Sequence, residues 1–102
     1  MQVQTINSSK LSWEAFKHSD GSVTYCADGD GFVELEQHAS GDFFNLNEQG
    51  SPIADIEGKT LAEALEIAQS YLAANYPGIF AHWSQQFAYD KELSEMMKNL
   101  NK

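Results

Sequence analysis

An α+β domain is predicted for this chain: a four- or five-stranded antiparallel meander followed by two or three C-terminal helices packed on one face. Three observations lead there. Before Gly58 apolar and polar residues alternate, and turn signals recur about every ten residues. From Thr60 the apolar spacing becomes helical. The 102 residues, 11.4 kDa, are enough for one core but not two, with roughly 5,800 Å² exposed. Residues 1–102 are therefore one small domain, with a sheet half over 10–57 and a helical half over 59–100.

Met1–Ser9 is polar and reads as a loose lead-in without the apolar core of a signal peptide. Strands are expected at Leu11–His18, Ser22–Ala27, Phe32–His38 and Phe43–Leu46, with Ile53–Ile56 as the short fifth. Asp20-Gly21 is a two-residue hairpin signal, since both residues tolerate positive φ. Asp28–Gly31 and Ser40-Gly41 mark the next turns, and Asn47–Pro52 a longer connection.

Thr60 and Glu63 have capping-box spacing. Leu61, Leu65, Ala68 and Leu72 then recur on one helix face. Tyr76-Pro77-Gly78 should end this helix, because proline disfavours helical geometry in the residue before it. A second helix starts near Ile79, with Phe80, Trp83 and Phe87 as its apolar stripe. Leu93, Met96, Met97 and Leu100 continue the pattern with a phase shift near Asp90, where one helix bends or two meet. Core or tail packing is expected for the Met96–Met97 pair, with a malleable docking surface as the alternative, and Asn99–Lys102 should fray.

With two-residue hairpin loops, paired residues share a face. One face then collects Leu11, Trp13, Ala15, Thr24, Cys26, Val33, Leu35, Phe44 and Leu46, for the helices to cover. The other collects Glu14, Phe16, His18, Val23, Tyr25, Ala27, Phe32, Glu34, Glu36, His38 and Phe43. Aromatic residues among acids suit an interface: an apolar centre with a polar rim. Glu14, Phe16, Tyr25, Phe32, Glu34, Glu36 and Phe43 are the candidate partner-binding residues.

Charge supports the same side. The chain has fifteen acids, six lysines and no arginine, for a net charge of −9. Nine of the acids lie between His18 and Gly58, where there is no lysine, so the sheet half carries the whole imbalance. Direct nucleic-acid binding needs clustered Lys and Arg and is excluded, as is docking on an anionic membrane. No apolar run approaches the ~20 residues of a membrane helix. Cys26 is the only cysteine, which fits a reducing compartment. A cytoplasmic location is expected.

Asp28–Gly31 fails as an EF-hand loop: Val33 stands where glycine is needed and Ala39 where glutamate is needed. His18, His38 and His82 lack a close ligand pair, so no metal is expected. Cys26 falls on the opposite face from His18 and His38 and reads as a small buried hydrophobe. There is no phosphate loop, dinucleotide fingerprint, nucleophile elbow or HExxH motif, and no cofactor is expected.

In size and charge the chain resembles the broad class of phage-encoded inhibitors of nucleic-acid machinery and immunity proteins that block nuclease toxins. That resemblance implies a non-enzymatic acidic interaction module. It would occlude the basic surface of a protein partner, such as a nuclease or nucleic-acid-binding complex. The alternatives are a homodimeric structural domain, dimerised through the same sheet face, and a small enzyme using paired carboxylates such as Glu34 and Glu36.

Overall fold

A computed structural model of the protein describes residues 3–100. Six strands form one antiparallel sheet in sequential order: β1 (Val3–Asn7), β2 (Ser12–Lys17), β3 (Val23–Ala27), β4 (Val33–Gln37), β5 (Phe43–Glu48) and β6 (Ser51–Glu57). Two helices follow, α1 (Leu61–Asn75) and α2 (Pro77–Leu100). The α+β meander is as expected, with six strands instead of four or five.

The extra strand comes from the supposed lead-in. Residues 3–7 pair with β2, Ile6 opposite Trp13 and Gln4 opposite Ala15, so Ile6 joins the core. Met1 and Gln2 lie outside the described residues. The connection expected over Asn47–Pro52 is a tight hairpin instead. Gln49 (φ 49°) and Gly50 (φ 84°) make the two-residue turn whose twist matches the flanking strands.

Inner-face residues of the sheet and the apolar stripe of α1 form one core. Leu11, Trp13, Ala15, Tyr25, Ala27, Val33, Leu35, Phe44, Leu46 and Ile56 pack with Ala64, Leu65, Ala68 and Leu72. The helical stripe is thus as its spacing predicts. Both capping-box bonds are formed: the Glu63 amide donates to Thr60 Oγ1 at 3.2 Å, and the Thr60 amide donates to Glu63 Oε1 at 2.9 Å. Thr60→Ala should cost about 1 kcal/mol, read as a lowered urea midpoint with an unchanged slope. A change of a few tenths or less would mean that the cap is not formed in solution.

α1 ends at the Tyr76-Pro77 step, as predicted. Pro77 opens α2, where its missing N–H and fixed φ are tolerated. α2 runs unbroken for 24 residues, so it is one helix through Asp90 and two helices do not meet there. Ile79, Phe80 and Trp83 close the core. Phe87 does not reach the core; it lines a cleft of about 640 Å³ with Thr5, Asn7 and Ser12 at the edge of the sheet. Leu93, Met96, Met97 and Leu100 are exposed, not packed. The helix holds through Leu100 where fraying was expected, while Asn101 and Lys102 lie outside the described residues.

Candidate functional site

The sheet has two unlike faces, and hairpin loop lengths decide which side chain reaches which. β2 joins β3 through three residues, Ser19–Gly21, and not two: the His18 amide donates to the Ser22 carbonyl, and Gly21 (φ 92°) donates back to His18. This is a type I turn followed by a left-handed residue, a position that favours glycine. The added residue inverts β3. Tyr25, Val23 and Ala27 point to the core side, while Thr24 and Cys26 point outward.

Tyr25 is therefore buried, not a surface anchor, and its hydroxyl donates to Gln37 Oε1 at 2.9 Å. Phe32 also leaves the candidate face. It sits in the β3–β4 loop with its ring edge-on to Tyr76, centroids 4.7 Å apart, and packs on the core. Glu14, Phe16, Glu34, Glu36 and Phe43 occupy the outer face in adjoining cross-strand rows.

Register defines those rows. One runs Thr5, Glu14, Cys26, Glu34, Asn47 across β1 to β5. The next runs Phe16, Thr24, Glu36, Asn45, Asp55 across β2 to β6. A third ends with His38, Phe43 and Glu57. Neighbouring strands are roughly 4.8 Å apart, and successive residues on one face roughly 6–7 Å apart. Five carboxylates, of Glu14, Glu34, Glu36, Asp55 and Glu57, thus stand on this lattice without a lysine among them.

Hydrogen bonds fix the polar members. His18 Nε2 bonds Thr24 Oγ1 at 2.7 Å. His38 Nε2 bonds Asn45 Oδ1 at 2.7 Å, and Asn45 Nδ2 donates to Asp55 Oδ1 at 2.6 Å. The His38 ring also stands edge-on to Phe43, centroids 4.6 Å apart. Phe43 is held by this contact, and like Phe16 it stays half-buried and available at the surface. Pre-ordered side chains lose less entropy when a partner binds.

Cys26 corrects the face expected for it and gains a different environment. Its thiol donates to Glu34 Oε2 at 3.3 Å. Burial, that hydrogen bond and the charges of Glu34, Glu14 and Asp30 push its pKa up to about 12. At neutral pH the sulfur is protonated and is not a nucleophile. Asp28 lies at the same end of the sheet. Burial raises its pKa, His82 opposes the rise, and Asp30, Asp90 and Glu14 add to it. Among the described residues no three His, Cys, Asp or Glu side chains are placed to hold a metal ion. No helix among them is long and apolar enough to cross a membrane.

Thr24, Asn45 and Asp55 are outer-face residues that the sequence had not marked. Asn45 and Asp55 become visible once β6 is recognised as a full strand. Thr24 required the loop length. No protein-family model, curated protein or solved structure matches this chain.

Proposed function

We propose that the protein is a small acidic interaction module whose outer sheet face occludes the basic surface of a protein partner. The observation that carries the proposal is the lattice of Glu14, Glu34, Glu36, Asp55 and Glu57, free of lysine, with Phe16 on β2 and Phe43 on β5 standing in the same face. α1 covers the other face, so this one is left to meet a partner. Carboxylates at strand spacing steer a cationic surface into register, and the two phenylalanines, three strands apart on β2 and β5, supply separate apolar anchors on either side of them. A nuclease or a nucleic-acid-binding protein has such a cationic surface, because its groove ordinarily takes phosphate. The mechanism is steric and electrostatic and needs no catalytic group.

Affinity capture from lysate, with and without nuclease and at low and high salt, tests it. A stoichiometric basic protein that survives nuclease and weakens with salt is the expected result. On that partner, Glu34→Lys with Glu36→Lys should slow association about tenfold or more at low ionic strength and flatten its salt dependence. An association rate that is the same at low and high salt in the wild-type protein would sink the proposal.

A further inference from the structure

The C-terminal half of α2 is amphipathic the wrong way round for its own domain. Phe87, Lys91, Ser94 and Lys98 turn toward the cleft beside β1, whose sheet-side walls are Thr5, Asn7, Ser8, Ser9 and Ser12. The apolar stripe of Tyr89, Leu93, Met96, Met97 and Leu100 lies roughly 140° around the helix from that side, at 100° per residue. Exposure is 60% at Met96, 44% at Leu93 and 78% at Leu100. The cleft wall that the helix does face is polar, so it offers this stripe no apolar seat.

We infer that this stripe packs against the same stripe of a second copy, as an antiparallel helix pair. Tyr89, Leu93, Met96 and Leu100 are spaced by four, three and four residues, which is the alternation of a coiled-coil seam. Placed antiparallel, Leu93 faces Met96 of the second copy and Tyr89 faces Leu100. The flanking charges also fit. Asp90 then lies beside Met97 of the other helix and Glu92 beside Asn99, so no carboxylate faces another. Residues 86–100 carry three acids and two lysines, a sum of −1, against −9 for the whole chain. This is the surface where two copies repel least. The antiparallel arrangement also sets the two acidic sheets at opposite ends of the pair, whereas a parallel one would bring them side by side.

The area is sufficient. The five residues are 44–78% exposed, and complete burial of the stripe on both copies would reach the ~1,000 Å² of a small specific interface. Extension of α2 away from the core accounts for the room. The accessible surface is 6342 Å² and the radius of gyration 14.4 Å, against about 5,800 Å² and about 12.8 Å for a compact globule of this size. This inference does not rest on the occlusion proposal, because it uses a different face.

Sedimentation equilibrium and light scattering of the full chain, from micromolar to millimolar, test it. The expected result is a concentration-dependent shift from 11.4 kDa to about twice that mass. Leu93→Glu with Met96→Glu sets like charges opposite each other across the seam and should weaken the association at least 100-fold while the circular dichroism of the monomer stays unchanged. A mass fixed at 11.4 kDa across the range overturns the inference. So does association that the double variant leaves intact, or a stripe that becomes protected only when lipid vesicles or a different protein are added. In a Cys26→Ser background, mixed Leu93→Cys and Met96→Cys copies should form the cross-linked heterodimer. Efficient Leu93→Cys self-linking would mean a parallel pair and overturn the antiparallel arrangement.

Discussion

Trp13→Ala should destabilise the domain by about 3–5 kcal/mol, the largest effect expected of any single substitution here. Trp13 is fully buried and is the largest side chain so placed. It stands on β2 between Ile6 of β1 and Ala27 of β3 in the sheet register. Its neighbours are held by antiparallel pairing on both sides, so they cannot collapse into the space the ring leaves. The truncation also removes the indole N–H that donates to Ser8 Oγ at 3.0 Å. A domain of this size has roughly 5–15 kcal/mol in total, so this one change removes a third or more of a typical margin. Urea denaturation followed by circular dichroism measures it. Trp13→Phe separates the causes: most of the volume remains, and the cost should fall to about half that of alanine. A Trp13→Ala protein within 1 kcal/mol of wild type would mean that α1 and the inner face do not form the core.

Loop length explains both what the sequence revealed and what it hid. Alternation located four strands and the start of a fifth, and the switch at Thr60 located both helices. Each loop flanking β3 is one residue longer than the two-residue hairpin at Asp20-Gly21 and the turn at Asp28–Gly31 imply. The first added residue inverts β3 and the second restores β4. Glu34 and Glu36 therefore stand on the expected face, while Tyr25 and Cys26 exchange sides. The alternation within β3 could not reveal the slip, because Val23, Thr24, Tyr25, Cys26 and Ala27 are acceptable on either face. Gly21 itself carried the clue: it serves a three-residue loop as readily as a two-residue one. The apolar run through Phe32 suggests a strand there, but the turn that begins at Asp28 and Gly29, both at positive φ, delays β4 to Val33. The candidate site was half legible for the same reason. Its charges are set by composition and survive a slip, whereas its aromatic anchors depend on register and shrink to the separate Phe16 and Phe43.

β1 was the other loss, and its attachment leads to the second large effect. Gln69→Leu should cost about 2–3 kcal/mol, although leucine fits the apolar stripe of α1 better than glutamine does. Gln69 is buried beside Leu65 and Leu72. Its Oε1 accepts from Ser8 Oγ at 2.6 Å and from the Lys10 amide at 3.1 Å, and its Nε2 donates to Ser9 Oγ at 3.1 Å. Ser9 in turn bonds Glu66 through its amide at 3.0 Å and its hydroxyl at 2.9 Å. The β1–β2 loop is thus fastened to α1 by side chains more than fifty positions away, a partnership that local sequence cannot show. Leucine would leave the Lys10 N–H without its side-chain partner and take one partner from each serine hydroxyl, with Leu11 and Trp13 still on Ser8 and Glu66 still on Ser9, and that penalty outweighs the gain in apolar area. A double-mutant cycle of Gln69→Leu with Ser8→Ala should give a coupling of about 1–2 kcal/mol, since both changes remove the same Ser8–Gln69 hydrogen bond. Hydrogen exchange supplies a readout that general destabilisation would not move. Exchange at Lys10 and along β1 should accelerate more than in β3 and β4, because only the former lose their tether. Additive energies, or uniform acceleration across the sheet, would mean that β1 is held by strand pairing alone and that the serine–glutamine network contributes nothing.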